Sequence, residues 1–141
     1  MHAHASRPAV DITGSDPAGE VVELRLERSR GRILLAFLTT DCNGCLSFWD
    51  SFRRVADAGL PPDVSAVVIT KGPGSVSPRD VAALASGIDR VPVIMSDKAW
   101  TDFGVLGYPF FVVVEVATRS VIGETVGFSW DDVLSILAPT G

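Results

Sequence analysis

Apolar and polar positions follow two rhythms along this chain, and unbroken apolar runs lie between them. From Val22 the pattern alternates: Val22, Leu24 and Leu26 are apolar, with Glu23, Arg25 and Glu27 between them. That period of two predicts a half-exposed strand. After the turn Arg30-Gly31, Ile33-Leu34-Leu35-Ala36-Phe37-Leu38 is continuously apolar, as suits a central strand covered on both faces. Val64 to Thr70 reads as a second buried strand and Val91 to Met95 as a third, whose Pro92 places it near an edge or at a strand start. Phe110 to Val116 and Val121 to Thr125 form a fourth and a fifth, joined by a turn through Ala117 to Ser120.

Helical spacing fills the intervals. Cys45, Trp49, Phe52 and Ala56 recur along one face, predicting a helix from Leu46 to Ala58 that Gly59 and Pro61-Pro62 stop. Ser77, Pro78 and Asp80 supply an N-cap, an N1 proline and an acidic first turn for a helix from Pro78 to Ser86. Asp97 caps a short helix running to Phe103, and Ser129 with Asp132 caps a last one reaching Ala138. Residues 1–11 read as a tail or an appended remnant, followed by a short edge element at Ile12. The remainder, 12–141, is expected to be one α/β domain: a central mixed sheet flanked by helices.

Composition narrows the function. The net charge of −5 is spread without any basic run, which argues against nucleic acid as a partner, because phosphate neutralisation needs concentrated Lys and Arg. No apolar run approaches the roughly 20 residues of a membrane span, and no signal-peptide pattern opens the sequence. There are two cysteines, three positions apart, so a framework of structural bridges is not in question.

Those cysteines carry the chemistry. The strand 33–38 ends, Thr39-Thr40-Asp41 turn, and Cys42-Asn43-Gly44-Cys45 opens the first helix. A helix N-terminus presents unpaired N–H groups and the positive end of its dipole, which stabilise an anion. In such settings thiol pKa values fall from about 8.5 to roughly 3.5–7.5. Cys42 is therefore the candidate nucleophile, and Cys45, one turn deeper, the candidate resolving thiol. A zinc half-site would need four ligands, and the remaining soft candidates are His2 and His4 in the tail. Two incidental buried cysteines fit the strand-to-helix position poorly. Tyr108-Pro109, before a buried strand, is open on residues alone to a cis or a trans bond.

Two stretches together resemble a known family. Leu34-Leu35-Ala36-Phe37-Leu38-Thr39-Thr40-Asp41-Cys42-Asn43-Gly44-Cys45 and Phe103-Gly104-Val105-Leu106-Gly107-Tyr108-Pro109-Phe110-Phe111-Val112-Val113-Val114 are similar to the thioredoxin superfamily, and within it to the TlpA/ResA/MauD-like thiol-disulfide oxidoreductases. In element order the match spans Ile12 to Leu137. The interval between the motifs exceeds that of plain thioredoxins, as in relatives with an inserted element. The resemblance implies a thioredoxin-like fold and a cis Pro109 facing the CxxC, with the Tyr108 backbone free to pair with an extended substrate. It implies protein thiols and disulfides as substrates, an upstream electron donor and a bacterial source. The redox-active disulfide Cys42–Cys45 would be the only redox centre, with no cofactor and no metal. Two compartments stay open: extracytoplasmic, with a membrane anchor in a longer protein, or cytoplasmic.

Departures from the pattern bear on direction. The family's buried acid six residues before the first cysteine is Ala36 here, the glutamate of some ResA-like proteins is Phe48, and the usual tryptophan before the first cysteine is Asp41. Proton transfer to Cys45 is thus expected to rely on water. Asp41 sets negative charge beside the thiolate and Asn43-Gly44 adds no cation, so a moderate reductant is expected, nearer thioredoxin's potential of about −270 mV than the −120 mV or so of a strong oxidant. Two other functions compete. A peroxiredoxin-like peroxidase would use Thr39 as the hydroxyl of PxxxTxxC, but Leu35 holds the proline's place. A non-catalytic thioredoxin-fold binding module would dock a partner through Trp100, Phe103, Tyr108 and Phe110; of these, Trp100 and Tyr108 are the expected surface residues.

Overall fold

The structure, a computed structural model, describes residues 7–54 and 59–138. Among them, eight strands form one sheet in the order β1-β8-β7-β4-β5-β6-β2-β3. They are β1 (Arg7–Pro8), β2 (Ile12–Ser15), β3 (Val21–Leu24), β4 (Arg32–Phe37), β5 (Val64–Thr70), β6 (Val93–Met95), β7 (Phe110–Glu115) and β8 (Ser120–Val126). Four helices accompany them: α1 (Asn43–Arg53), α2 (Pro78–Ala85), α3 (Asp97–Asp102) and α4 (Trp130–Leu137).

The apolar run is the hub. β4 pairs parallel with β5, from Arg32 opposite Val64 to Phe37 opposite Ile69. On its other side it pairs antiparallel with β7, from Arg32 opposite Glu115 to Phe37 opposite Phe110. Successive side chains of a strand point to opposite faces, and β4 divides its run between two cores accordingly. Ile33, Leu35 and Phe37 join Ile12, Leu26, Trp100, Phe103 and Val112 on one face. Leu34, Ala36 and Leu38 join Cys45, Phe48, Trp49 and Phe52 of α1, Val81 of α2 and Val133 and Leu137 of α4 on the other. A central strand sandwiched in this way has no solvent face, which is why its sequence does not alternate.

The strand ends differ from expectation where local contacts override pattern. The alternating segment leaves the sheet at Leu24, and Leu26–Arg28 forms a 3₁₀ turn that still buries Leu26. Its anchor is Asp11, whose carboxylate accepts the Leu26 N–H at 2.9 Å. β6 lies between β5 and β2, and Pro92 stands directly before its first residue, the strand-start position that was one of the two expected for it. The Pro92 carbonyl accepts the Val68 N–H at 2.9 Å. Helix α1 is described to Arg53, so the end expected at Ala58 lies outside the described residues.

Within the tail or appended remnant expected over residues 1–11, residues 7–9 join the fold. Arg7 and Pro8 pair with Val121 and Ser120. The Arg7 guanidinium donates to Glu124 at 2.7 Å and to the Phe103 carbonyl at 2.9 Å, and Ala9 is buried. A two-residue strand has no periodicity to read. Its position is set by partners far along the chain, from Phe103 to Glu124.

The close seat of β2 against β6 makes a prediction. A Cβ added at Gly14 would stand 2.2 Å from the Met95 carbonyl oxygen. Gly14→Ala must therefore push the two strands apart, and a loss of about 1–3 kcal/mol in urea unfolding is expected, the usual range for overpacking. An unchanged unfolding midpoint would mean that this segment does not hold the sheet.

Candidate functional site

The pairing of β4 with β7 decides where the candidate residues sit. Phe37 is opposite Phe110, so the residues that follow Phe37 and those that precede Phe110 leave the sheet at the same end. The first group is Leu38 to Cys42 and the second is Leu106 to Pro109. α1 starts within the first group, with Cys42 as its N-cap.

Cys42 is partly exposed and Cys45 is buried, and both are free thiols. The Cys42 sulfur accepts the backbone N–H of Cys45 at 3.3 Å, satisfying one of the donors that a helix start leaves open. Cys45 has no exposed surface. Two groups of Thr39 reach its sulfur: the backbone N–H at 3.4 Å and the hydroxyl at 3.6 Å. Thr39 is buried as well, and its carbonyl accepts the Trp49 indole N–H at 3.1 Å. Burial first of all pushes the Cys45 thiol up to about 11, opposed by the two Thr39 bonds and reinforced by Cys42. Two adjacent thiols thus have opposite environments, one open at a helix start and one neutral in the core.

The remaining site residues gather around this pair. The Tyr108–Pro109 peptide bond is cis. Pro109 is buried, and its carbonyl accepts the Gly127 N–H at 3.0 Å. A point one Cβ out from Gly44 lies 3.6 Å from Pro109 Cδ and 3.7 Å from Cys42 Sγ, so the proline ring and the sulfur flank the same spot. Asn43 and Gly44 are exposed, as is Asp41, which makes no hydrogen bond or ion pair among the described residues. Ala36, where the family's buried acid would stand, shares the apolar core with Cys45. His2 and His4, the candidates for a zinc site, lie outside the described residues.

Of the residues expected at the surface, Tyr108 is 49% exposed but Trp100 is only 3% exposed. The Trp100 ring is taken up by the core: its centroid is 5.5 Å from that of Phe37, edge-on, and Lys71 Nζ lies 4.9 Å from it. Phe103 is buried and Phe110 partly so. Leu106 and Phe128, 100% and 88% exposed, are surface apolar residues that no periodicity in the sequence marks. Nor does periodicity mark the contact of Thr39 with Cys45. A hydroxyl three residues before a cysteine at a helix start was the available signal.

No family model matches the chain, and no curated protein matches it. Solved structures do. An exposed lipoprotein thioredoxin of Streptococcus pneumoniae superposes with a TM-score of 0.69 at 20% identity, covering 90% of this chain and 97% of its own. The thioredoxin domain of a thiol-disulfide oxidoreductase of Bacteroides vulgatus gives 0.66 at 14% identity, covering 94% and 96%. A secreted disulfide oxidoreductase of Mycobacterium tuberculosis, homologous to DsbE of E. coli, gives 0.66 at 20% identity over 89% and 93%. The fold is thioredoxin-like. Within a thioredoxin-like fold the first helix follows a central strand, as α1 follows β4 here, and the two thiols stand at that junction.

The raised Cys45 pKa gives a pH dependence with a definite sign. The folded, reduced protein holds the proton more tightly than the unfolded chain does. The resulting stability is complete below the ordinary thiol value of 9.0 and is lost as pH rises through about 11. Urea unfolding of the reduced protein should thus weaken across that interval more steeply than unfolding of Cys45→Ala. Parallel slopes would show that the folded state does not perturb this thiol.

Proposed function

We propose that this chain is a thiol-disulfide oxidoreductase acting on protein disulfides through Cys42 and Cys45, in the direction of a reductase. The observation that carries the reading is the asymmetry of the pair: a half-open sulfur capping α1 and a wholly buried one directly behind it. Cys42 as thiolate attacks a substrate disulfide and forms a mixed disulfide, releasing one substrate sulfur as thiolate, which takes up a proton. Cys45 loses its proton and attacks the Cys42 sulfur. The intermolecular bond breaks, Cys42–Cys45 forms, and the second substrate sulfur leaves. The substrate has gained two electrons and the protein dithiol has lost them, to be restored by an upstream donor. The thioredoxin-like neighbours that are named as thiol-disulfide oxidoreductases favour this chemistry over peroxide reduction. Those named as an exposed lipoprotein and as a secreted enzyme favour work outside the cytoplasm. Among the described residues no helix is long and apolar enough to cross a membrane.

The reading is tested by trapping. Cys45→Ser, offered a peptide that carries one cystine, should accumulate a mixed disulfide at Cys42 visible by mass spectrometry. Cys42→Ser should accumulate little, because Cys45 has no exposed surface. Equal trapping by the two variants would overturn the assignment of roles.

A further inference from the structure

Resting on that reading, we infer that Thr39 is the positioning residue of the resolving step: its hydroxyl holds the Cys45 sulfur and stabilises it as a thiolate, in a core that contains no acid or base to do so. The problem it meets is plain from the surroundings. Cys45 must lose a proton before it can attack Cys42, yet it lies among Leu34, Ala36, Leu38, Phe48, Trp49 and Phe111, and an apolar setting opposes a charged sulfur. The elements packed against it, β4, β7 and α1, bring no carboxylate, amine or imidazole to it among the described residues. In the reduced protein the titratable group whose charge bears on it is Cys42 itself, which opposes ionisation; in the mixed disulfide that charge is gone and the apolar surroundings remain. Water alone would leave the anion without a fixed partner once the substrate covers the site.

Thr39 supplies two donors. Its N–H reaches the Cys45 sulfur at 3.4 Å and its Oγ1 at 3.6 Å. Both bonds favour the anion, since a hydrogen bond to a charged acceptor is the stronger. The hydroxyl is the adaptable one: it can accept from the thiol S–H and then rotate to donate to the thiolate. Its backbone is held in turn, because the Trp49 indole N–H, one turn along α1 from Cys45, binds the Thr39 carbonyl at 3.1 Å. The arrangement is thus a closed loop from strand end to helix and back. The hydroxyl takes no proton away; the proton leaves to solvent, and Thr39 lowers the cost of its leaving.

The two steps can be read separately with 5,5′-dithiobis(2-nitrobenzoate) in stopped flow. Attack by Cys42 releases a first thionitrobenzoate, and attack by Cys45 on the Cys42 mixed disulfide releases a second. In the wild-type protein both equivalents should appear; absence of the second would refute the proposed dithiol function itself, whatever the role of Thr39. Thr39→Val keeps the shape and the N–H but removes the hydroxyl. It should leave the first phase unchanged, slow the second about three- to tenfold at pH 7, and move the second phase's pH midpoint upward. Thr39→Ser, which keeps the hydroxyl but loses a methyl group, should restore the second phase and its midpoint. A purely packing role predicts the reverse order, with Val like the wild type and Ser impaired, and that result would overturn the inference, as would an unshifted midpoint in Thr39→Val. If Thr39→Val does not fold, Thr39→Ala against Thr39→Ser makes the same comparison.

Discussion

The arrangement of the molecule depends on the register in which β4 lies between β5 and β7. Phe37 is opposite Phe110 on one side and Ile69 on the other, and these pairings fix the end of the sheet at which β4 stops and β7 begins. The helix that follows β4 and the cis-proline turn that precedes β7 are brought together by that register alone. A slip of one residue would exchange the two cores, sending Leu34 and Ala36 to the face of Trp100 and Phe37 to the face of α1. It would also carry Pro109 away from Cys42. Apolar burial on both faces makes such a slip costly, so the same hydrophobic pattern that drives folding aligns Pro109 with Cys42.

A functional asymmetry grows out of this scaffold. α1 begins at Cys42 because the strand has ended and the chain must turn; its first N–H groups lack partners within the helix. A sulfur placed there gains donors, while a sulfur three residues later points into the core and loses water. The difference between the two thiols therefore comes from helix geometry and needs no special residue. Thr39 moderates it, since the last turn of backbone before the helix lies against the buried sulfur and its two hydrogen bonds oppose the effect of burial. Asp41, by contrast, stands exposed and without a partner among the described residues, where solvent screens its charge.

Much of this was legible in the residues. The unbroken run 33–38, the helical spacing that follows it, the Ser77-Pro78 start and the Ser129–Asp132 cap each name their element, since local chemistry decides them. Asp132 accepts the N–H of Ser129 at 3.1 Å, as the cap requires. The seat of Arg7 and Pro8 on β8 was not legible, because nothing in two residues announces a partner at Val121 and Ser120. Trp100 was misplaced for a related reason: an aromatic residue near a reactive turn looks like a docking residue, and only the packing of α3 on Phe37 shows it to be core. The contact between Thr39 and Cys45 joins the residues after a strand to the second cysteine of a motif, and a linear reading does not orient either side chain.

The central claim is that Cys42 and Cys45 act as one two-electron couple. Equilibration with dithiothreitol or glutathione buffers, followed by acid quench, alkylation and intact mass, measures it directly. One transition is expected in which both thiols disappear together, following the two-electron slope of about 30 mV per decade, with a midpoint nearer −270 mV than −120 mV. Independent modification of the two cysteines, with no disulfide joining them at any potential, would contradict it.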